Sequence, residues 1–314
     1  MIDFFKRLKL TYSIYNFFHK KQLQHNVGVY RKYGIKKSYF SPISSKDFRN
    51  VKVSEDLPVP LSERLARIPA FNQLDAHSQI SLLNFENEGY SIINQFFTSS
   101  IVDQINEEVE ILFKDEKIKF RYKNKLMFAY HHSRLLEGAG EDGRLKEILG
   151  ALLNKKPILF QSINFLTGSE QKTHSDSIHM STFPLGGLAA VWIALEDIAL
   201  DNGPLHYYPK SHKLPYYLNS DYGNEGSSWL IGDKLYTEYE KMIEGKIREL
   251  PLDKKVFLAK KGDILIWHAN LLHGGEPHLN KNKTRKSMVL HYFSEGSICY
   301  HEITQRPALI KSKA

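Results

Sequence analysis

The stretch QKTHSDSIHMSTFP, residues 171–184, sets two histidines, an aspartate and several hydroxyl side chains just ahead of an apolar run, LAAVWIALE (188–196). Side chains two apart on an extended chain point to the same side. His174 and Asp176, if extended, therefore aim an imidazole and a carboxylate at one point. That is two-thirds of a facial two-histidine, one-carboxylate set, which holds Fe(II) and leaves positions open for other ligands. The third ligand must come from elsewhere. The segment KKGDILIWHANLLHGGEPHLNKNKTRKSMVLHYF (260–293) offers His268, His273, His278 and His291, and pattern alone does not choose among them. His273 precedes Gly274 and Gly275, where missing side chains permit close approach. Arg285 opens the returning strand, where a hairpin would bring its guanidinium near the same pocket to bind a carboxylate through two hydrogen bonds.

Around these residues the chain changes texture. In YSIINQFFTSSIVDQINEEVEILFKDE (90–116) a short strand meets Thr98, Ser99 and Ser100, which are good helix caps. Ile101, Ile105, Val109 and Leu112 then recur at helical spacing. A second helix is predicted over GRLKEILGALLN (143–154). Beyond residue 155 come short strands: PILFQSINF, GLAAVWIALE, GPLHYYP, KVFLAK, DILIWHA and SMVLHYF, separated by turn residues. Helices first and many short strands later predict a mainly β sandwich or barrel with flanking helices. The domain organisation expected is an N-terminal extension over 1–65 and a catalytic domain over 66–314, with 213–250 as a long lid-like insertion.

The net charge of +8 is not spread evenly. Residues 1–37 hold nine lysines and arginines against one acid, Asp3, and the rest of the chain is balanced. A neutral body excludes nucleic-acid binding by the fold itself, which needs a basic face to neutralise phosphates. In the first 26 residues Phe4, Phe5, Leu8, Tyr12, Tyr15 and Phe18 recur at three- and four-residue steps, so a helix there is amphipathic. The ordinary expectation is a helix packed on the main domain with its lysines in water; the sharper one is a peripheral membrane or protein contact through residues 1–37. One cysteine, Cys299, excludes an internal disulfide and a thiolate metal site. No run is long and apolar enough to span a bilayer and no secretory signal is visible, so a cytoplasmic protein is expected.

Taken together, the blocks HSD (174–176), VWIALEDIALDNGPLHYYPKSHK (191–213), KKGDILIWHANLLHGG (260–275) and TRKSMVLHYF (284–293) resemble, in this order, the phytanoyl-CoA dioxygenase family of Fe(II)- and 2-oxoglutarate-dependent oxygenases. The resemblance covers roughly residues 80–295. It implies a double-stranded β-helix, a jelly-roll core of the cupin kind. It also implies that His174, Asp176 and His273 ligate iron and that Arg285 pairs with the distal carboxylate of 2-oxoglutarate. Trp192 matches a position lining the co-substrate pocket, and Gln161 one near the 2-oxoglutarate. One residue departs from the pattern: where the family commonly reads His-Gly-Ser, Gly275 stands in place of the serine that helps hold the carboxylate. Asp176 itself narrows the chemistry, because related halogenases carry a small residue there; with the carboxylate present, hydroxylation by Fe(II), 2-oxoglutarate and O2 is expected.

The substrate expected is a small or medium-sized organic molecule, a polar metabolite or glycan-pathway intermediate. The motive is the aromatic, hydroxyl-rich insertion with Tyr216, Tyr217, Tyr222, Trp229, Tyr236 and Tyr239, whose aromatics otherwise simply pack the loop onto the barrel. His179 and FAYHHS (128–133) could also reach substrate. Two rivals stand beside this reading. One is an acyl-CoA or lipid hydroxylase recruited to membrane by the N-terminal helix. The other is a non-catalytic cupin-like protein that binds metal or ligand without turnover.

Overall fold

The computed structural model describes residues 4–53 and 59–311. Its strands, in chain order, are β1 (Tyr90–Ile93), β2 (Phe120–Arg121), β3 (Lys125–Met127), β4 (Pro157–Phe165), β5 (Ser181–Phe183), β6 (Leu188–Ala194) and β7 (Leu205–Tyr207). They continue with β8 (Lys255–Phe257), β9 (Ile264–His268), β10 (His273–Gly275), β11 (Ser287–Ser294), β12 (Ile298–His301) and β13 (Arg306–Pro307). Seven form one sheet in the order β1-β9-β6-β11-β4-β3-β2; two smaller sheets are β10-β7-β8 and β13-β12-β5. Every pairing is antiparallel. The β10-β7-β8 sheet closes over the large sheet, which makes a jelly-roll core.

The alternation along each central strand divides the interior in two. Val191, Ile193, Ile264, Ile266, Met288 and Leu290 face outward into one core. Helix Ser99–Lys114 covers that face with Val102, Ile105, Val109 and Leu112, and helix Gly143–Leu153 with Leu145, Ile148 and Leu149. Thr98 and Asp142 cap the two helices by accepting backbone N–H bonds. The intervening positions Ala190, Trp192, Leu265, Trp267 and Val289 face inward, toward Leu205, Tyr207 and Phe257 of the small sheet. A period of two thus feeds both cores from the same strands.

The N-terminal segment divides as well. Helix Asn26–Lys32 packs Val29 and Tyr30, with Ile43 and Phe48, against Phe183, Ile298 and Tyr300 of β5 and β12. Helix Lys9–Phe18 does not pack its apolar face. Asn16 is its buried residue, while Leu10, Ile14, Phe17 and Phe18 are exposed. Of the positions read as one stripe, Leu8 and Tyr12 are half-buried while Phe5, Tyr15 and Phe18 are exposed, so the expected packing on the main domain holds only in part. In the insertion 213–250, Tyr239 and Ile243 of helix Tyr236–Glu249 join Ile178, Tyr208 and Leu272, with Tyr217, Tyr222 and Tyr236 packed around them. Most of its aromatics therefore fix the insertion to the barrel; Trp229 remains exposed.

Candidate metal and co-substrate site

His174 and Asp176 do not sit in a regular strand. His174 forms an isolated antiparallel bridge with His273, each residue donating its N–H to the other's carbonyl at 2.9 Å, and Asp176 opens a single 3-10 turn. The bridge is what unites the set, because residues paired across such a bridge carry their side chains to the same side. His174, Asp176 and His273 each offer one ligand atom, all within 4.8 Å of one another, and all three are buried. The Nε2 atoms of His174 and His273 lie 4.0 and 3.7 Å from the same carboxylate oxygen, Oδ1 of Asp176.

Backbone carbonyls fix the tautomers. His174 Nδ1 donates to Lys172 O at 2.8 Å and His273 Nδ1 to Leu271 O at 3.0 Å, which leaves both Nε2 lone pairs directed into the site. Burial, reinforced by the neighbouring His273, holds His174 well below the ordinary imidazole range and keeps it neutral. Burial pushes the Asp176 carboxyl up, but the facing His273 and His291 outweigh it and the group stays ionised. Trp267 on β9 donates Nε1–H to Asp176 Oδ2 at 2.7 Å, which leaves Oδ1 toward the histidines. Two imidazoles and one oriented carboxylate make a set that could hold a divalent iron with open positions.

The other candidate histidines lie elsewhere in function. His268 ends β9 beside His212, and His278 Nδ1 accepts the Gly168 N–H. His291 faces inward with its Nε2 3.6 Å from Oδ2, the carboxylate oxygen turned away from the set. Gln161 of β4 stands opposite His291 where the β4–β11 register shifts, and its Oε1 is buried without a hydrogen-bond partner.

Arg285 is fully buried immediately before β11. Its Nε donates to Gly203 O at 2.9 Å and its Nη1 to Ser287 Oγ at 2.6 Å, and its guanidinium lies 5.6 Å from the Trp192 ring. Burial pushes its pKa down to about 10, so it remains charged. Among the described residues no carboxylate forms an ion pair with it, although the charge of Glu196 raises its pKa, and its remaining Nη donors could take an anion. The glycine at 275 also has an explanation in the fold. A side chain there would meet Ser169 Oγ 2.5 Å from its Cβ, so the hydroxyl of Ser169 already fills that place. The glycines at 274 and 275 thus admit the 168–171 loop rather than a ligand.

Several neighbours escaped the sequence reading. Gln171 donates its side-chain amide to His174 Nε2 at 3.0 Å, and Lys125 of β3 donates to Gln171 Oε1 at 2.9 Å. Lys125 sits on a three-residue strand with no pattern to flag it, whereas the period of two along DILIWHA puts Trp267 on the same inward face as Leu265. His179 Nε2 is 3.0 Å from Tyr236 Oη, and His301 lies against His179.

The comparisons with known proteins agree with this geometry. The family model described as phytanoyl-CoA dioxygenase matches residues 85–287. The mouse phytanoyl-CoA dioxygenase domain-containing protein 1 is 24% identical over 250 residues, covering 74% of this chain and 80% of its own. The Arabidopsis thaliana phytanoyl-CoA dioxygenase is 26% identical over 249 residues, covering 76% and 81%. Among solved structures, the non-heme α-ketoglutarate-dependent carbocyclase SnoK from nogalamycin biosynthesis superposes with a TM-score of 0.59 at 13% identity, covering 74% of this chain and 88% of that one. EctD from S. alaskensis with 2-oxoglutarate and 5-hydroxyectoine superposes with a TM-score of 0.53 at 17% identity, covering 78% and 85%. With a family match that runs through the histidine–aspartate–histidine set, the chain belongs to the phytanoyl-CoA dioxygenase family, Fe(II)- and 2-oxoglutarate-dependent oxygenases that consume O2.

Proposed function

We propose that the protein hydroxylates a small polar organic substrate, with His174, Asp176 and His273 as the iron ligands and Arg285 as the anchor of 2-oxoglutarate. The observation that carries this reading is the pairing of the buried ligand set with a buried guanidinium that no carboxylate of the described residues ion-pairs. Held by these residues, Fe(II) with 2-oxoglutarate and O2 would supply the oxidising power for hydroxylating a substrate C–H bond, with succinate and CO2 as the co-products.

The chain's own residues position the reactants. Trp267 orients the Asp176 carboxylate, and the carbonyls of Lys172 and Leu271 hold the imidazoles with Nε2 inward. Arg285 offers its remaining Nη donors to the distal carboxylate, with Trp192 against its face. Ser287 already accepts from Arg285, so its own hydroxyl proton is free to donate to the same carboxylate, in place of the serine that Gly275 lacks. Gln161, with an unpartnered oxygen aimed inward, faces the co-substrate from β4. The polar ring of Lys125, Gln171, His179 and Tyr236 beside the ligands favours a substrate with hydroxyl or amide groups over a long acyl chain.

Anaerobic addition of Fe(II) and then 2-oxoglutarate to the apo-protein is expected to give the weak visible charge-transfer band of the chelate, diminished in Asp176→Ala and Arg285→Ala. Absence of the band and of tight iron binding in the wild type hands the site to the non-catalytic binding reading. Succinate release is then compared across sugar nucleotides, small polar metabolites and acyl-CoA thioesters; turnover with the thioesters alone refutes the polar substrate.

A further inference from the structure

We propose that helix Lys9–Phe18, together with Trp229, is a docking surface for an anionic lipid membrane. Leu10, Ile14 and Phe18 lie at i, i+4 and i+8, with Phe17 beside them, and so form one stripe of the helix. The stripe faces water: Leu10 is 64%, Ile14 52% and Phe18 79% exposed. Toward the protein the helix turns a polar residue instead, the buried Asn16, whose Nδ2 donates to Phe40 O at 2.9 Å. The amphipathic helix is docked with its polar side inward, the reverse of a helix that serves the core.

The surroundings extend the stripe. Lys9 N donates to Trp229 O, and Ile231 N to Arg7 O, both at 2.9 Å, around a bridge between Leu8 and Leu230. This crossing sets Trp229, 78% exposed, at the first turn of the helix. Lys6 and Lys21 are exposed, and Lys20 holds its ammonium 3.9 Å from the Phe17 ring.

Charge selects the occupant. Residues 1–37 carry nine basic side chains and one acid on a chain whose remainder is neutral. A second copy of the chain would press basic surface on basic surface, which like charges oppose. An anionic bilayer satisfies both halves: leucine, isoleucine and phenylalanine enter the acyl boundary, a tryptophan sits at the headgroup level, and lysines reach the phosphates. No helix of the described residues is long and apolar enough to cross a membrane, so the contact is peripheral. The 229–231 crossing leads within a few residues to Tyr236, which bonds His179 beside the ligand set, so the docked surface and the site belong to one continuous segment. The inference stands on surface alone and is independent of what the site oxidises.

The test uses the full chain with vesicles of phosphatidylcholine, alone or mixed with phosphatidylglycerol. Trp192 and Trp267 are buried, so the solvent-sensitive part of the emission reports Trp229. Co-sedimentation with the anionic vesicles and a blue shift of that emission are expected. The double variant Ile14→Glu/Phe18→Glu should partition at least about tenfold less, and Lys20→Glu/Lys21→Glu should lose the preference for anionic lipid. Trp229→Phe should keep binding while losing the blue shift. Failure of the wild type to bind the anionic vesicles overturns the proposal, as does equal binding by Ile14→Glu/Phe18→Glu. A concentration-dependent dimer that the same double variant dissolves, without vesicle binding, assigns the stripe to a second copy instead.

Discussion

Around Asp176 the protein gathers histidines and a glutamine inside a jelly roll, while on helix Lys9–Phe18 it leaves leucine, isoleucine and phenylalanine in water. The two regions reverse the usual inside–outside distribution in opposite directions. By contrast, β6, β9 and β11 largely obey it, with apolar side chains on both faces. Buried polar groups cost stability unless partnered, and exposed apolar stripes forgo burial. Each departure is one that something outside the chain would complete: a metal and a dicarboxylate at the site and, on the proposal above, a lipid surface at the helix. A sequence consistent at every level elsewhere points to function where that consistency breaks.

Five measurements break or sharpen this contrast. The largest effect is expected at the centre of the buried set. Asp176→Ala removes one ligand and the acceptor of Trp267, and succinate formation should fall to the detection limit in a coupled assay with normal folding by circular dichroism. An active Asp176→Ala enzyme would mean that the cluster is structural. Next, Arg285→Ala should weaken 2-oxoglutarate binding by about thirtyfold or more, the equivalent of ~2 kcal/mol for losing a buried charged partner. Arg285→Lys should recover only part of this, because an ammonium lacks the planar fork; isothermal titration with Fe(II) present reads both.

Trp267→Phe keeps the ring and deletes one hydrogen bond to Asp176. Iron affinity is expected to drop about 10- to 100-fold, as for other groups that orient a ligand. An iron titration that matches wild type would show that the indole N–H only fills space.

The buried imidazoles make a pH prediction. Burial, opposed by the Gln22 backbone carbonyl, pushes His25 down to about 4; burial with His212 nearby does the same to His268, and burial with Arg306 to His301. Each is neutral in the folded protein over a range where the unfolded chain, near 6.5, takes up a proton. The unfolded state then binds more protons, so stability is present above pH 6.5 and declines as pH falls from about 6.5 to about 4. Each histidine contributes up to about 1.4 kcal/mol per pH unit in that window. Urea unfolding at pH 7 and pH 5 checks it; equal midpoints would mean that these rings are hydrated.

The smallest effect belongs to the exposed helix. Ile14→Glu should change unfolding free energy by no more than about 0.5 kcal/mol, as for a surface position. A loss of several kcal/mol would mean that the stripe is core after all and would erase the contrast.

Much of the site was legible before any coordinates. The pair His174 and Asp176 stood out because its spacing suits one face, and the ordered blocks from 174 to 293 carried the resemblance that chose His273. The local geometry differed, a bridge and a 3-10 turn instead of a strand, yet it brought the same atoms together. Gln171, Lys125 and Trp267 were not singled out as partners: Lys125 and Trp267 reach the site only through tertiary approach of separate segments, and Gln171, three residues before His174, carries no pattern that marks it. The helix was legible as amphipathic but not its orientation. Periodicity fixes which residues share a face, whereas the direction of that face depends on what the rest of the fold presents to it.

The chain by itself determined seven of the thirteen strands, the two capped helices, the concentration of positive charge in residues 1–37 and the type of ligand set, since these follow from period, capping and residue chemistry. The tertiary structure decided how His273 is brought to Asp176, that Ser169 fills the space beside Gly275, that Arg285 lies buried without an ion-paired carboxylate, and that helix Lys9–Phe18 turns Leu10, Ile14 and Phe18 outward. Those outcomes depend on contacts between segments far apart in sequence, where shape and the exclusion of water, rather than local pattern, select one arrangement.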